Sequence, residues 1–132
     1  MAAIVDVLIV GGGPAGLSTA LTLARQLHSV VVFDSGSYRN DYADYQHMVL
    51  GFDHQEPAHF RAAARENILS RYKTVTIHDV AVATAKKLEE DLFELTDVNG
   101  VAYHGKKLVL ATGVEDLMPD LPGFKECWGK GM

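Results

Sequence analysis

Apolar residues along this chain recur with two different periods, and the points where one gives way to the other mark out its elements. Residues 4–10 (IVDVLIV) form a short apolar run of the buried-strand type, interrupted by a polar side chain only at Asp6. From Pro14 the spacing changes. Leu17, Ala20, Leu21, Ala24 and Leu27 fall three or four apart, which predicts a helix over 14–27. Val30 to Phe33 (VVVF) is β-branched and returns to strand. Strand, tight turn, helix, strand is a βαβ unit, whose strands lie parallel through a right-handed crossover.

Residues 34–56 carry no period; Tyr38, Tyr42 and Tyr45 stand there among Asn, Asp and Ser. A loop of that length is functional or disordered rather than mere connection. The tyrosines either line a substrate or partner surface or pack under their own loop. Pro57 opens a second helix running to Tyr72, with Phe60, Ala64, Ile68 and Leu69 as its apolar face. Residues 74–80 then read as a strand. The segments 82–88, 92–98 and 101–104 alternate apolar with polar residues, and Asn99-Gly100 predicts a type I′ hairpin, so a small antiparallel meander is expected. Residues 107–111 (KLVLA) form a last buried strand ending at Thr112-Gly113, and 118–123 (MPDLPG) an extended, proline-stiffened exit. The fold class expected is α/β: a parallel sheet with flanking helices plus the meander.

Bulk properties narrow the function. At 132 residues the chain fits one domain. A net charge of -5 without a Lys/Arg-dense face argues against a nucleic-acid polymer as partner. No run approaches the ~20 apolar residues of a membrane span, and the N-terminus lacks the basic region of a secretory signal, so a cytoplasmic location is expected. Cys127 is the only cysteine, which excludes an intrachain disulfide or dithiol pair. His47, His54 and His59 with Asp53 and Glu56 match no compact ligand motif, and no metal is expected.

The chemistry concentrates at the first turn. Gly11, Gly13 and Gly16 satisfy G-x-G-x-x-G with a strand before and a helix after, the context this dinucleotide motif requires. Gly11 permits the tight turn, Gly13 lets backbone approach a pyrophosphate, and Gly16 lets the helix lie close on the sheet. Pro14 costs nothing at the first helical position, where its missing donor would be unsatisfied anyway. Asp34 closes the second strand about 20 residues beyond Gly11, the place of the carboxylate that accepts from an adenosine ribose 2′-hydroxyl and repels a 2′-phosphate. The long loop after that strand and the meander before Ala-Thr-Gly point to FAD rather than NAD.

In VLIVGGGPAGLSTALTLAR, VVVFDSGSYRN, HMVLGFD and LVLATGVEDLMPDLPGFKECWGKG the chain resembles the two-dinucleotide-binding flavoproteins, specifically their thioredoxin reductase-like group. FDSGSYRN with the downstream PGFKECWGKG looks most like the fungal flavoprotein oxidases that close disulfides in gliotoxin-like and holomycin-like natural products. The resemblance implies a Rossmann-like FAD-binding domain over 1–117 and an exit segment over 118–132 leading toward an NADPH domain. It assigns Gly11, Gly13, Pro14, Ala15 and Gly16 to the FAD pyrophosphate and Asp34 to the adenosine ribose. Ser35, Arg39 and Asn40 then lie along the pyrophosphate and ribityl chain, Asp79 and Val80 meet the adenine, and Ala111, Thr112 and Gly113 flank adenosine and pyrophosphate. His47 falls in a segment that passes near the flavin ring, either as general acid or base or as a plain hydrogen-bonding or surface histidine.

The family's Cys-x-x-Cys, pyridine-nucleotide domain and returning FAD segment have no counterpart here, so the chain is expected to be truncated relative to the family. It is then a fragment, a short protein completed by a partner or a second copy, or a relic reused for a non-redox step. An open half-pocket leaves apolar surface and unpaired strand edges, so a homo-oligomer or a partner chain completing the flavin pocket is expected, with a small-molecule substrate.

Overall fold

The computed structural model describes residues 3–130; the outer ends of the two predicted units, residues 1–2 and 131–132, lie outside the described residues. In chain order these form strand β1 (Ile4–Val10), helix α1 (Pro14–Arg25), β2 (Val30–Phe33), α2 (Pro57–Arg71), β3 (Val75–His78), β4 (Val82–Glu89), β5 (Leu92–Asp97), β6 (Ala102–Leu110) and the single-turn helix α3 (Phe124–Cys127). The strands share one sheet in the order β3-β2-β1-β6-β5-β4. β1 runs parallel to both β2 and β6, with Val10 opposite Phe33 on one side and Leu110 on the other. β4, β5 and β6 form the antiparallel meander. The fold is therefore α/β with a mixed sheet, a parallel core extended by antiparallel hairpins.

Alternation along β1 sends successive side chains to opposite faces. Val7 and Ile9 pack with Leu17, Ala20 and Ala24 of α1 and Ile68 of α2. Leu8 faces the other way and packs with Val31, Phe33 and, from the meander, Leu95. In a flat sheet β3 and β6 would be held apart by two strands, yet the rings of His78 and Tyr103 lie 5.2 Å apart. The sheet thus coils until the meander covers the face that the helices leave open. Each fully buried Leu or Ile in these two clusters contributes about 1.5–3 kcal/mol.

Four local expectations are corrected. The strands expected at 101–104 and 107–111 are one, β6, because Gly105 at their junction lies against β1: a Cβ there would come within 2.6 Å of Leu8 Cγ. A strand glycine can mark close approach of another backbone or side chain instead of a break. The β5–β6 turn is not type I′, since Asn99 has no positive φ and only Gly100 does (φ 84). Gly100 N–H donates to the Asp97 carbonyl, and the Asp97 carboxylate accepts from the N–H groups of Asn99 and Val101, giving a three-residue hairpin with a bulge. α1 stops at Arg25, leaving Leu27 exposed in a left-handed conformation. In α2, Ile68 is 1% exposed but Leu69 is 40%, so only Ile68 of that pair is core. Among the described residues no helix is long and apolar enough to cross a membrane.

Candidate functional site

A cleft of about 900 Å³ opens where Val10, Phe33 and Leu110 end β1, β2 and β6. All three strands are parallel, so these are carboxyl ends, and β1 is the point where strand order reverses. Open α/β sheets bind ligands at that position. The volume lies at the upper end of ordinary small-molecule and cofactor pockets.

One wall is the first turn. Gly11, Gly12, Gly13, Pro14 and Ala15 line the cleft, and no side chain caps α1, so the N–H groups of its first turn are left for a bound anion. The glycines are not equivalent. A Cβ on Gly11, whose φ is 120, would run into the carbonyl oxygen of Ala111 at the end of β6, and one on Gly16 into the carbonyl oxygen of Gly11. A Cβ on Gly12 would strike the carboxyl group of Asp34. On Gly13 it would meet nothing within 4 Å: that side faces open cleft. Gly16 is a buried residue of α1 itself and does not line the cleft.

The rest of the lining comes mainly from the loop after β2 and the end of β6. Asp34, Ser35, Arg39 and Asn40 contribute to it, as do Val80, Ala111, Thr112 and Gly113. Asp34 is 3% exposed. Its Oδ1 accepts from Gly36 N–H at 2.9 Å, its Oδ2 accepts from the Tyr38 hydroxyl at 2.6 Å, and Arg65 Nη2 stands 3.4 Å from Oδ2. Burial, then the bond to Asp34, pushes the Tyr38 phenol up to about 12, so at neutral pH it remains a donor. The Arg61 guanidinium lies 3.6 Å over the Tyr38 ring and donates to Asn40 Oδ1 and Asp41 Oδ1. Arg65 also bonds Asp79, while its own Nε is buried without a partner.

Arg39 makes a two-pronged ion pair with Asp116, at 2.9 and 3.2 Å, which ties the loop after β2 to the segment after β6; both residues line the cleft. The guanidinium holds the Asp116 carboxyl below the usual carboxylate range.

Besides Gly16, two residues of the sequence-derived set lie outside the cleft wall. Asp79 is 75% exposed and outside the wall, reaching the site only through Arg65. His47 is 59% exposed in a small hairpin closed by the Gln46–Gln55 bridge, where its Nδ1 lies 3.4 Å from Asp53 Oδ1 and its ring 5.4 Å from that of His54. The cleft does not include it. Among the described residues no group of three or more His, Cys, Asp or Glu could hold a metal ion. Conversely, Gly12, Arg61, Arg65 and Asp116 take part in the site although no motif in the sequence marks them. The available signal for the arginines is their spacing: four apart on the helix that follows the loop, they point to one side.

This architecture recurs in known proteins. The family model described as "Pyridine nucleotide-disulphide oxidoreductase" matches residues 5–132. A thioredoxin reductase of Claviceps purpurea, tcpT, is 55% identical over 130 residues, covering 98% of this chain and 40% of the relative. A second, aclD of Aspergillus oryzae, is 50% identical over 96% of this chain and again 40% of the relative. Among solved structures, an oxidoreductase from Agrobacterium tumefaciens superposes with a TM-score of 0.90 at 35% identity, covering 97% of this chain and 43% of that one. The protein HlmI superposes with a TM-score of 0.89 at 34% identity, over 98% and 41%. The chain thus spans about 40% of the length of the curated relatives it matches. With a glycine-turn βαβ unit, a cleft at the switch point and a family match across nearly its whole length, the chain belongs to the pyridine nucleotide-disulphide oxidoreductases of thioredoxin reductase-like type.

Proposed function

We propose that residues 1–117 are the first portion of an FAD-binding domain, that 118–132 lead from it toward a pyridine-nucleotide domain of the kind the family carries, and that the cleft takes the adenosine diphosphate half of FAD. The observation that supports this most directly is the contrast among the glycines. Gly11 and Gly16 are needed by the protein's own backbone, whereas the space in front of Gly13 is spare and lies at an uncapped helix start. That arrangement suits a pyrophosphate, with Pro14 and Ala15 beside it at the helix start and Gly16 letting the helix lie close behind.

Asp34 would accept from the ribose, with Asp79 and Val80 at the adenine end and Ala111, Thr112 and Gly113 along adenosine and pyrophosphate. Ser35, Arg39 and Asn40 would follow the pyrophosphate and ribityl chain. His47, held in its own hairpin, is assigned no proton-transfer step. Bound FAD would supply two-electron transfer from a small-molecule dithiol, which leaves as its disulfide, to oxygen or another acceptor; this chain contributes binding and orientation. The likeness to tcpT and aclD, both called thioredoxin reductases, and the sequence resemblance to natural-product disulfide oxidases support a place in secondary metabolism. Exposed Leu110, Val114, Leu117 and Leu121 on the stretch bounding the cleft favour completion of the pocket by further protein, from a longer chain or a partner.

Titrating the purified chain with FAD, following flavin absorbance and fluorescence, tests the reading. Saturable one-to-one binding that Asp34→Ala weakens is expected; no binding would overturn it. Anaerobic addition of a dithiol to the loaded chain then tests the redox step: bleaching supports it, and a flavin that stays oxidised removes dithiol chemistry from this portion.

A further inference from the structure

An aspartate at the end of the second strand has two oxygens with which to receive a ribose that offers two hydroxyls. In this chain the two oxygens are not alike. Oδ2 is walled on three sides: the Tyr38 hydroxyl donates to it at 2.6 Å, Arg65 Nη2 stands 3.4 Å away, and Gly12 packs so closely that a methyl group there would overlap it. Among the described residues Oδ1 accepts one internal bond, from Gly36 N–H at 2.9 Å, and a carboxylate oxygen has room for two.

Tyr38 is not free to swing aside. Its ring is seated beneath Arg61 at 3.6 Å, and its own N–H donates to Asp41 Oδ2 at 3.3 Å. Arg61 is in turn fastened to Asn40 and Asp41. Nor is Arg65 available to a ligand phosphate, because Asp34 and Asp79 share its single positive charge.

We propose that Tyr38 is a specificity-determining residue which, with Arg65 and Gly12, closes Oδ2 of Asp34, so that the carboxylate presents one acceptor, Oδ1, and reads a single hydroxyl of an adenosine ribose. The proposal rests on the adenosine-binding reading above. It differs from the two-hydroxyl grip open to an unobstructed carboxylate in a way that ligand chemistry can resolve.

The test is competition against FAD on the full chain with ADP, 2′-deoxy-ADP and 3′-deoxy-ADP. A hydrogen bond to a charged acceptor is worth roughly a tenfold change in affinity or more. One deoxy analogue is expected to lose about tenfold relative to ADP while the other stays within about twofold. In Tyr38→Phe, which frees Oδ2 at nearly constant volume, both analogues are expected to weaken. Equal weakening by both analogues in the unchanged chain, weakening by neither, or an unaltered one-hydroxyl pattern in Tyr38→Phe overturns the proposal while leaving FAD binding intact. Failure of both FAD and ADP to bind overturns the adenosine reading together with it. The measurements on the unchanged chain decide the matter even where the variant folds poorly.

Discussion

Gly12 and Gly13 are chain neighbours, and a single methyl group added to each should have opposite consequences. In Gly12→Ala the methyl would occupy the volume of the Asp34 carboxyl. Asp34 would have to move, disrupting its bonds from Tyr38 and Gly36, each worth about 1.5–3 kcal/mol because the acceptor is charged. Partial relaxation leaves a net loss of about 3 kcal/mol, consistent with the usual range for overpacking. For a chain of this size each kcal/mol moves Tm by roughly 3–5 °C, so a fall of roughly 10–15 °C is expected. In Gly13→Ala the methyl enters open cleft. As N-cap of α1 the position loses about 0.5–1 kcal/mol on going to Ala. Reduced freedom of the unfolded chain returns about 0.4–1 kcal/mol, so Tm should stay nearly unchanged. The same methyl would stand where a pyrophosphate must approach, costing about 1–3 kcal/mol of FAD affinity, roughly 5- to 150-fold. Thermal unfolding followed by circular dichroism, beside FAD titration, reads both quantities. A Gly13→Ala chain that melts as early as Gly12→Ala, or that binds FAD as tightly as the unchanged chain, would refute the reasoning.

Other substitutions separate core, loop and charge effects. Ile68→Ala should cost about 2–5 kcal/mol by denaturant unfolding, whereas Leu69→Ala next to it should stay within about 0.5 kcal/mol. Asp116→Ala releases Arg39 for phosphate and should tighten FAD binding roughly two- to fivefold, with steeper salt dependence; weaker binding would show that the ion pair shapes the cleft instead. The Asp6 carboxyl is held well below the usual carboxylate range by Lys106 and then by the Ser29 N–H. Its folded pKa is depressed, so its contribution is present above about pH 4, the ordinary carboxylate value, and is lost as pH falls toward the folded pKa. Asp6→Asn should therefore lower Tm near neutrality, flatten its decline below about pH 4 and converge with the unchanged chain in acid.

The parallel half of the sheet was legible because its information is local. A strand of seven residues, a helix with apolar spacing and a glycine turn between them leave few alternatives. Legibility fails where one residue answers to something distant in sequence. Gly105 looks like a strand break until Leu8 is found against it, and Asp97 fixes the hairpin through its side chain, which the Asn-Gly pair does not reveal. The same holds in the cleft. Asp34 can be located by counting from Gly11, but its partners come from the loop at Tyr38 and from the next helix at Arg65. Arg39 is apt for phosphate by its chemistry; its present carboxylate partner, Asp116, lies far along the chain and carries no sequence signal of the pairing.

β1 is paired in register with β6, Ile4 facing His104 and Val10 facing Leu110. About 100 residues of synthesis separate the two strands, roughly 5–20 s at ordinary ribosomal rates. Until β6 emerges, the strand destined for the middle of the sheet has one unsatisfied edge, and Leu8 lacks its cover. During synthesis the chain thus carries an apolar strand edge that stays unpaired until β6 follows. A chaperone that recognises extended apolar segments would find IVDVLIV the natural place to hold until the later strand arrives.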